Sequence, residues 1–286
     1  MQIVRTRKEM QQLASTLCGE GKSIGFVPTM GFLHEGHLSL VRRARAENQV
    51  VVVSIFVNPT QFGPNEDFEK YPRDFESDRK LVESLVDYLF YPPVDEIYNK
   101  NEKVTFALKD ITNCLCGISR PTHFQGVALV VAKLFNIVRP DRVYFGQKDY
   151  QQTVVIRSLI QELFFKIELL VCPTIRASDG LALSSRNVYL NAQQRARATI
   201  LYQALQFGVG LFETGEKKIA VVIQKMRVFL EDHGITDIDY VDIRDAQSLV
   251  SIEQFNGRAV VLALAGFFGK TRLIDNIIYP CDEIKK

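Results

Sequence analysis

Between residues 23 and 172 the chain repeats one pattern, a short apolar run, a turn, and then a stretch with helical spacing. Residues 23–28 are the first apolar segment, and 37–45 behind them are good helix formers. Residues 50–57 are nearly all apolar and mostly β-branched, as in a strand covered on both faces, and they stop at Asn58 and Pro59. Residues 74–85 have helix-forming composition, and 86–91 read as a third strand halted by Pro92 and Pro93. Apolar side chains at 127, 130, 131, 134 and 138 share one helical face, which ends at Pro140. Residues 142–145 make a fourth strand, a helix runs through Phe164, and 166–172 make a fifth. Such alternation predicts an α/β fold with a doubly wound parallel sheet and right-handed crossovers.

After about residue 175 the alternation weakens. Helical patterns cover 192–211 and 216–232, and strands are expected at 238–243, 258–264 and 272–278, separated by turn signals such as Asn256-Gly257. We expect a first domain over residues 1–175 and a smaller C-terminal α+β domain over 176–286. A length of 286 residues suits two domains, and 47% hydrophobic with 24% charged residues argues against a disordered or fibrous chain.

Charge excludes some partners. With 35 basic and 33 acidic side chains the net charge is +2, which provides no field for nonspecific binding to nucleic acid or a membrane surface, although a local basic pocket stays open. The longest apolar stretches, 50–57 and 259–268, are too short to span a bilayer, and no apolar signal core precedes the first charges. The expectation is therefore a cytoplasmic protein with neither a membrane nor a nucleic-acid partner. Five cysteines, Cys18, Cys114, Cys116, Cys172 and Cys281, are odd in number and lack the Cys-x-x-Cys spacing of a zinc site, so they read as reduced thiols. A redox role for Cys114 and Cys116 is the weaker alternative to small buried side chains.

Polar residues and glycines gather in the loops after the strands, where open α/β sheets bind ligands. PTMG at 28–31 leads to HEGH at 34–37, where Gly31 and Gly36 permit close backbone approach. A helix N-terminus with imidazole donors suits phosphate oxygens. A shared metal ion on His34 and His37 is the rival; this is not the His-Glu-x-x-His of metalloproteases and no third ligand is evident. The amides Asn58 and Gln61 can orient hydroxyls and a carboxylate, or simply form a turn. Arg120 and His123 can bind an anion or pair with surface carboxylates. Lys148, just past a strand, can neutralise phosphate; Asp149 can bind a ribose or cap a helix. Ser184, Ser185 and Arg186 can make a phosphate clamp or simply form a turn or cap. Neither a P-loop nor a Gly-x-Gly-x-x-Gly fingerprint is present.

The segments VPTMG (27–31), HEGH (34–37), FVNPTQFG (56–63), YPR (71–73), RPTHFQG (120–126), FGQKDYQQ (145–152), DGLALSSRN (179–187) and RLIDN (272–276) resemble, in the same order, the pantothenate synthetase (pantoate–β-alanine ligase) family. His-x-x-His alone marks only the wider nucleotidylyltransferase superfamily with its Rossmann-like fold. The resemblance implies a Rossmann-like domain binding ATP and pantoate, and a C-terminal domain that closes as a lid. It implies that (R)-pantoate attacks the α-phosphate of ATP, giving pantoyl adenylate and pyrophosphate, and that β-alanine then displaces AMP. A carboxylate is already a nucleophile, so positioning and charge neutralisation matter more than a general base.

By the same resemblance Met30, Gly31, Phe32, Leu33, His34, Glu35, Gly36 and His37 line the ATP site, with His37 as proton donor. Gly146, Gln147, Lys148, Asp149, Ile175 and Leu183 continue it, and His34, His37, Lys148, Ser184, Ser185 and Arg186 contact phosphates. Gln61 and Gln152 hold pantoate, Asn58 and Gln61 lie near β-alanine, and Mg²⁺ bridges phosphates with help from Asp78. A homodimer is implied as well. One departure is Gln147, where many relatives carry Glu beside the lysine. Two rivals remain: another nucleotidylyltransferase, whose phosphorylated acceptor calls for more basic groups, and a nucleic-acid module of the tRNA-synthetase type, which calls for a basic stripe.

Overall fold

The computed structural model describes residues 1–64 and 66–280, so Cys281 lies outside the described residues. The elements of the first part are β1 (Gln2–Val4), α1 (Arg7–Gly19), β2 (Ile24–Thr29), α2 (Glu35–Glu47), β3 (Val50–Ile55), α3 (Phe75–Val82), β4 (Tyr88–Phe90), α4 (Val94–Ile97), α5 (Cys116–Ser119), α6 (His123–Val138), β5 (Arg142–Gly146), α7 (Tyr150–Glu162) and β6 (Glu168–Cys172). Then follow α8 (Ala192–Arg197), α9 (Ile200–Glu213), α10 (Ile219–Asp232), β7 (Ile238–Asp245), β8 (Val260–Phe268) and β9 (Thr271–Tyr279). No helix among the described residues is long and apolar enough to cross a membrane.

The chain divides into two compact units. Among the described residues, the first holds those within 1–109, 120–147 and 155–173; the second holds 110–119, 148–154 and 174–280. In the first, six parallel strands run in the order β1-β4-β3-β2-β5-β6, flanked by helices as the alternation predicts. Every residue of β3 is buried, which is why its sequence is apolar at every position but Ser54. The chain moves outward from β2 through β3 to β4 and then returns to β5 on the other side of β2. Such a reversal opens a crevice at the carboxyl ends of the central strands. The loops after β2, β3 and β5 are those that carry HEGH, NPTQ and the start of GQKD.

Strand β1 and helix α1 are additions to the sequence reading. Three residues are too few to show a period, and β1 is an edge strand paired only with β4. Helix α1 starts at Thr6, whose hydroxyl accepts from Glu9 N at 3.2 Å, and buries Met10, Ala14 and Leu17.

In the second unit β7, β8 and β9 form an antiparallel sheet in chain order. Leu201, Leu205, Val222, Met226, Leu230, Leu262 and Leu264 form its core. The approach of α9 is close at Gly208, where a Cβ would lie 2.6 Å from Met226 Sδ and 2.9 Å from Leu262 Cδ2. The helix expected over 192–211 is instead α8 and α9. A three-residue bond from Leu201 N to Ala198 O tightens the chain between them, and Ala198 is wholly buried there. Cys114 and Cys116 are buried, as the small-side-chain reading expects.

Candidate active site

In the first unit β2 ends at Thr29, whose hydroxyl donates to Ser54 O at 2.7 Å and accepts Gly31 N at 3.2 Å. Gly31 (φ 81°) and Phe32 (φ 51°) then turn through the left-handed region. Glycine is required at 31: an added Cβ would sit 2.9 Å from both Asp78 Oδ2 and Ile55 Cγ2. The turn aims Phe32 N and Leu33 N at the two oxygens of Asp78, at 2.8 and 2.6 Å. Asp78 is buried on α3, and burial pushes its carboxyl above the ordinary value against the pull of those two donors.

Asp78 thus anchors the loop from Gly31 to Leu33, and this use of both oxygens suits a backbone-holding anion better than the Mg²⁺ ligand expected from resemblance. Among the described residues no group of three His, Cys, Asp or Glu could hold a metal ion. Asp78→Ala leaves two donors unsatisfied, at roughly 1–3 kcal/mol each. We expect a lower melting temperature and a raised KM for ATP; an unchanged KM for ATP in the folded variant would detach Asp78 from the nucleotide loop.

His34 caps α2. Its Nδ1 accepts Gly36 N at 3.1 Å, and Nδ1 of His37, one turn on, accepts His34 N at 3.3 Å. The rings lie 4.1 Å apart, centroid to centroid. A ring nitrogen that accepts carries no proton, so each neutral imidazole has its hydrogen on Nε2 and offers a donor there. A metal-bound histidine shows the reverse, donating from the nitrogen that does not ligate. The pair therefore suits an anion at a helix N-terminus, and the metal alternative loses its support.

After β3, Asn58 caps the short turn Pro59–Gln61. Its Nδ2 donates to Gln61 Oε1 and to Gly126 O, both at 3.1 Å, and Gln61 Nε2 points at Met30 Sδ, 2.9 Å away. Arg120 and His123 meet this turn from behind. Arg120 pairs with Glu66 through Nε at 2.8 Å and donates to Gln61 O at 3.2 Å, while His123 Nδ1 lies 2.8 Å from the same carbonyl. Their contacts hold the backbone of Gln61. Gly146 and Gln147 stand at the end of β5.

The remaining candidates belong to the second unit. Asn276 Nδ2 donates to Lys148 O at 2.8 Å, and the Lys148 ammonium lies 3.4 Å from Asp149. Gln151 is committed to structure, its Oε1 accepting Cys116 N and its Nε2 donating to Cys114 O. Its neighbour Gln152 is half-buried. Residues 175–183 fold back as a hairpin through Leu183 N to Ile175 O at 2.9 Å. Beyond it Ser184 caps the turn Ser185–Tyr189 by accepting Arg186 N at 3.3 Å. The hairpin is tied to β9 by Arg176, which pairs with both oxygens of Asp275 at 2.5 and 2.9 Å and lies over the Tyr202 ring.

Sequence reasoning assigned no role to Thr60, Tyr98, Arg176, Asp275 or Asn276. The last two sit in RLIDN, where the resemblance pointed without naming a task; Tyr98 lies where no periodic pattern marks it.

Comparison with known proteins gives the family. A family model described as pantoate-beta-alanine ligase matches residues 2–278. A pantothenate synthetase of Fervidobacterium nodosum is 53% identical over 98% of this chain and 100% of its own length. The crystal structure of the Thermus thermophilus enzyme superposes with TM-score 0.91 at 43% identity, covering 97% of this chain and 99% of that one. A pantoate-beta-alanine ligase of Francisella tularensis, solved with beta-gamma ATP and beta-alanine, gives TM-score 0.78 at 36% identity and covers 97% of each chain. With the sheet order, the loop motifs and a family model that spans nearly every residue in accord, the chain belongs to the pantoate–β-alanine ligase family.

Proposed function

We propose that this ligase works by placing donors around phosphate oxygens and leaving the chemistry to a substrate carboxylate. The reaction is ATP-dependent joining of (R)-pantoate and β-alanine, with AMP and pyrophosphate released. In the first step the pantoate carboxylate attacks the α-phosphate and pyrophosphate departs; in the second the β-alanine amine attacks the acyl carbon and AMP departs. The observation that carries the residue assignment is the histidine pair at the start of α2, each ring accepting a backbone N–H through Nδ1, which puts its proton on Nε2.

Nε2–H of His34 and His37, the Lys148 ammonium, the Ser184 and Ser185 hydroxyls and the Arg186 guanidinium would offset charge on the attacked and leaving phosphates. Met30 to His37, Gly146 and Gln147 of the first unit would bind the nucleotide, as would Lys148, Asp149, Ile175 and Leu183 of the second, and Gln61 and Gln152 would hold pantoate. Arg120 and His123 would act on pantoate through the carbonyl of Gln61. Mg²⁺ would arrive with the triphosphate, whose oxygens supply most of its ligands. The same reading has the ligase act as a homodimer in the cytoplasm; a monomeric mass by light scattering would remove the first.

The test is a reaction with ATP, pantoate and β-alanine. AMP, pyrophosphate and pantothenate should appear in equal amounts. ADP in place of AMP, or pantothenate made without added β-alanine, would sink the two-step scheme.

A further inference from the structure

Asn58 is 1% exposed, and its carboxamide is completely used. Oδ1 receives the Tyr98 hydroxyl at 2.7 Å, the Thr60 hydroxyl at 3.0 Å and, at the longer 3.4 Å, Thr60 N, while Nδ2 gives its two hydrogens to Gln61 Oε1 and Gly126 O. An amide offers two acceptor sites and two donors, so no capacity is left for a ligand. The carbonyl of Gly126 can only accept, which decides which end of the amide faces it. With Nδ2 set in that direction, Gln61 must turn its own oxygen to Asn58. Its Nε2 then faces Met30 Sδ, a weak acceptor that an oxygen readily replaces.

We propose that Tyr98 is a positioning residue acting through Asn58: it holds the Gln61 carboxamide with its N–H groups outward, so that this position takes an oxygen of the hydroxy acid and turns away an ammonium. The proposal rests on the reading that Gln61 holds pantoate. It also assigns Asn58 to orienting Gln61 rather than to touching β-alanine.

Tyr98 is built for this task. Lys133 Nζ sits 4.3 Å from the centre of its ring and is itself held by Ile97 O at 2.8 Å and Glu102 at 2.6 Å. Burial pushes the phenol up to about 12, so it stays protonated and donating through the working range of pH. Thr60 lies 2.9 Å from the phenol oxygen and completes the ring of donors around Asn58 Oδ1. Helix α6 comes close enough to supply the Gly126 carbonyl because position 126 lacks a side chain: a Cβ there would lie 2.3 Å from Thr60 O.

Steady-state kinetics of Tyr98→Phe, which removes only the hydroxyl, test the idea. The KM for pantoate should rise about tenfold, with the KM values for ATP and β-alanine within about twofold of the parent. Thr60→Val, with Tyr98 intact, should show the same selective rise at smaller size, and serves if Tyr98→Phe folds poorly. In a Gln61→Ala background Tyr98→Phe should add less than about twofold, since residues acting through one another do not add. Full multiplication of the two effects, or a pantoate KM unmoved by Tyr98→Phe when Gln61→Ala raises it, overturns the positioning role alone. A pantoate KM unmoved by Gln61→Ala removes the pantoate reading and the proposal with it.

Discussion

His37→Ala slows pantoyl adenylate formation by about 10²–10³-fold, the effect of removing one well-placed donor from developing charge. His34 N donates to His37 Nδ1, so the His37 proton is on Nε2, at the start of a helix whose first N–H groups already favour negative charge. Loss of the ring also removes half of a capping box, which costs about 1 kcal/mol of stability, too little to explain such a rate loss in a folded enzyme. Lys148→Ala should act on the same step, since a full positive charge is lost from the phosphates. Single-turnover release of pyrophosphate, read beside a melting curve, separates the step from the fold. Near-parental rates in both variants would remove these residues from the mechanism.

Asp275→Ala is expected to have the largest effect on stability. Asp275 is 3% exposed, its two oxygens take Nη1 and Nη2 of Arg176, and Oδ1 also accepts Asn276 N at 2.8 Å. Removing one partner of a buried pair strands the other charge, at a cost of about 3–5 kcal/mol. Arg176 begins the hairpin that leads to Ser184, Ser185 and Arg186, and Asn276 next door holds Lys148 O. The variant should therefore melt well below the parent and, while still folded, show a raised KM for ATP. A shift in melting temperature of less than about 2 °C would mean that the pair is solvated and the hairpin held by other contacts.

Strands such as β3 were legible because burial on both faces demands a run that is nearly all apolar, whereas β1, three residues at a sheet edge, leaves no such trace. The break between α8 and α9 was not legible, because Ala198 and Thr199 keep helical character and only packing decides that the chain turns there. Asp78 was a candidate Mg²⁺ ligand by resemblance alone, since a carboxylate carries no mark of its partners in sequence. Its bonds to two N–H groups more than forty positions away are visible only in the fold. Arg120 and His123 read as anion binders or as partners of surface carboxylates; in the structure Arg120 pairs with Glu66, and both face the carbonyl of Gln61.

Sequence by itself determined the strand and helix alternation, the loops that carry polar chemistry, and the family, because each is written in local pattern or in ordered motifs. Tertiary structure alone decided which histidine nitrogen bears the proton, which way the Gln61 amide faces, and what Asp78 and Asp275 hold. Those outcomes depend on single hydrogen bonds between groups far apart in the chain, such as Tyr98 to Asn58 and Arg176 to Asp275. A donor and an acceptor there select each other over about 3 Å, a distance that only the folded chain sets.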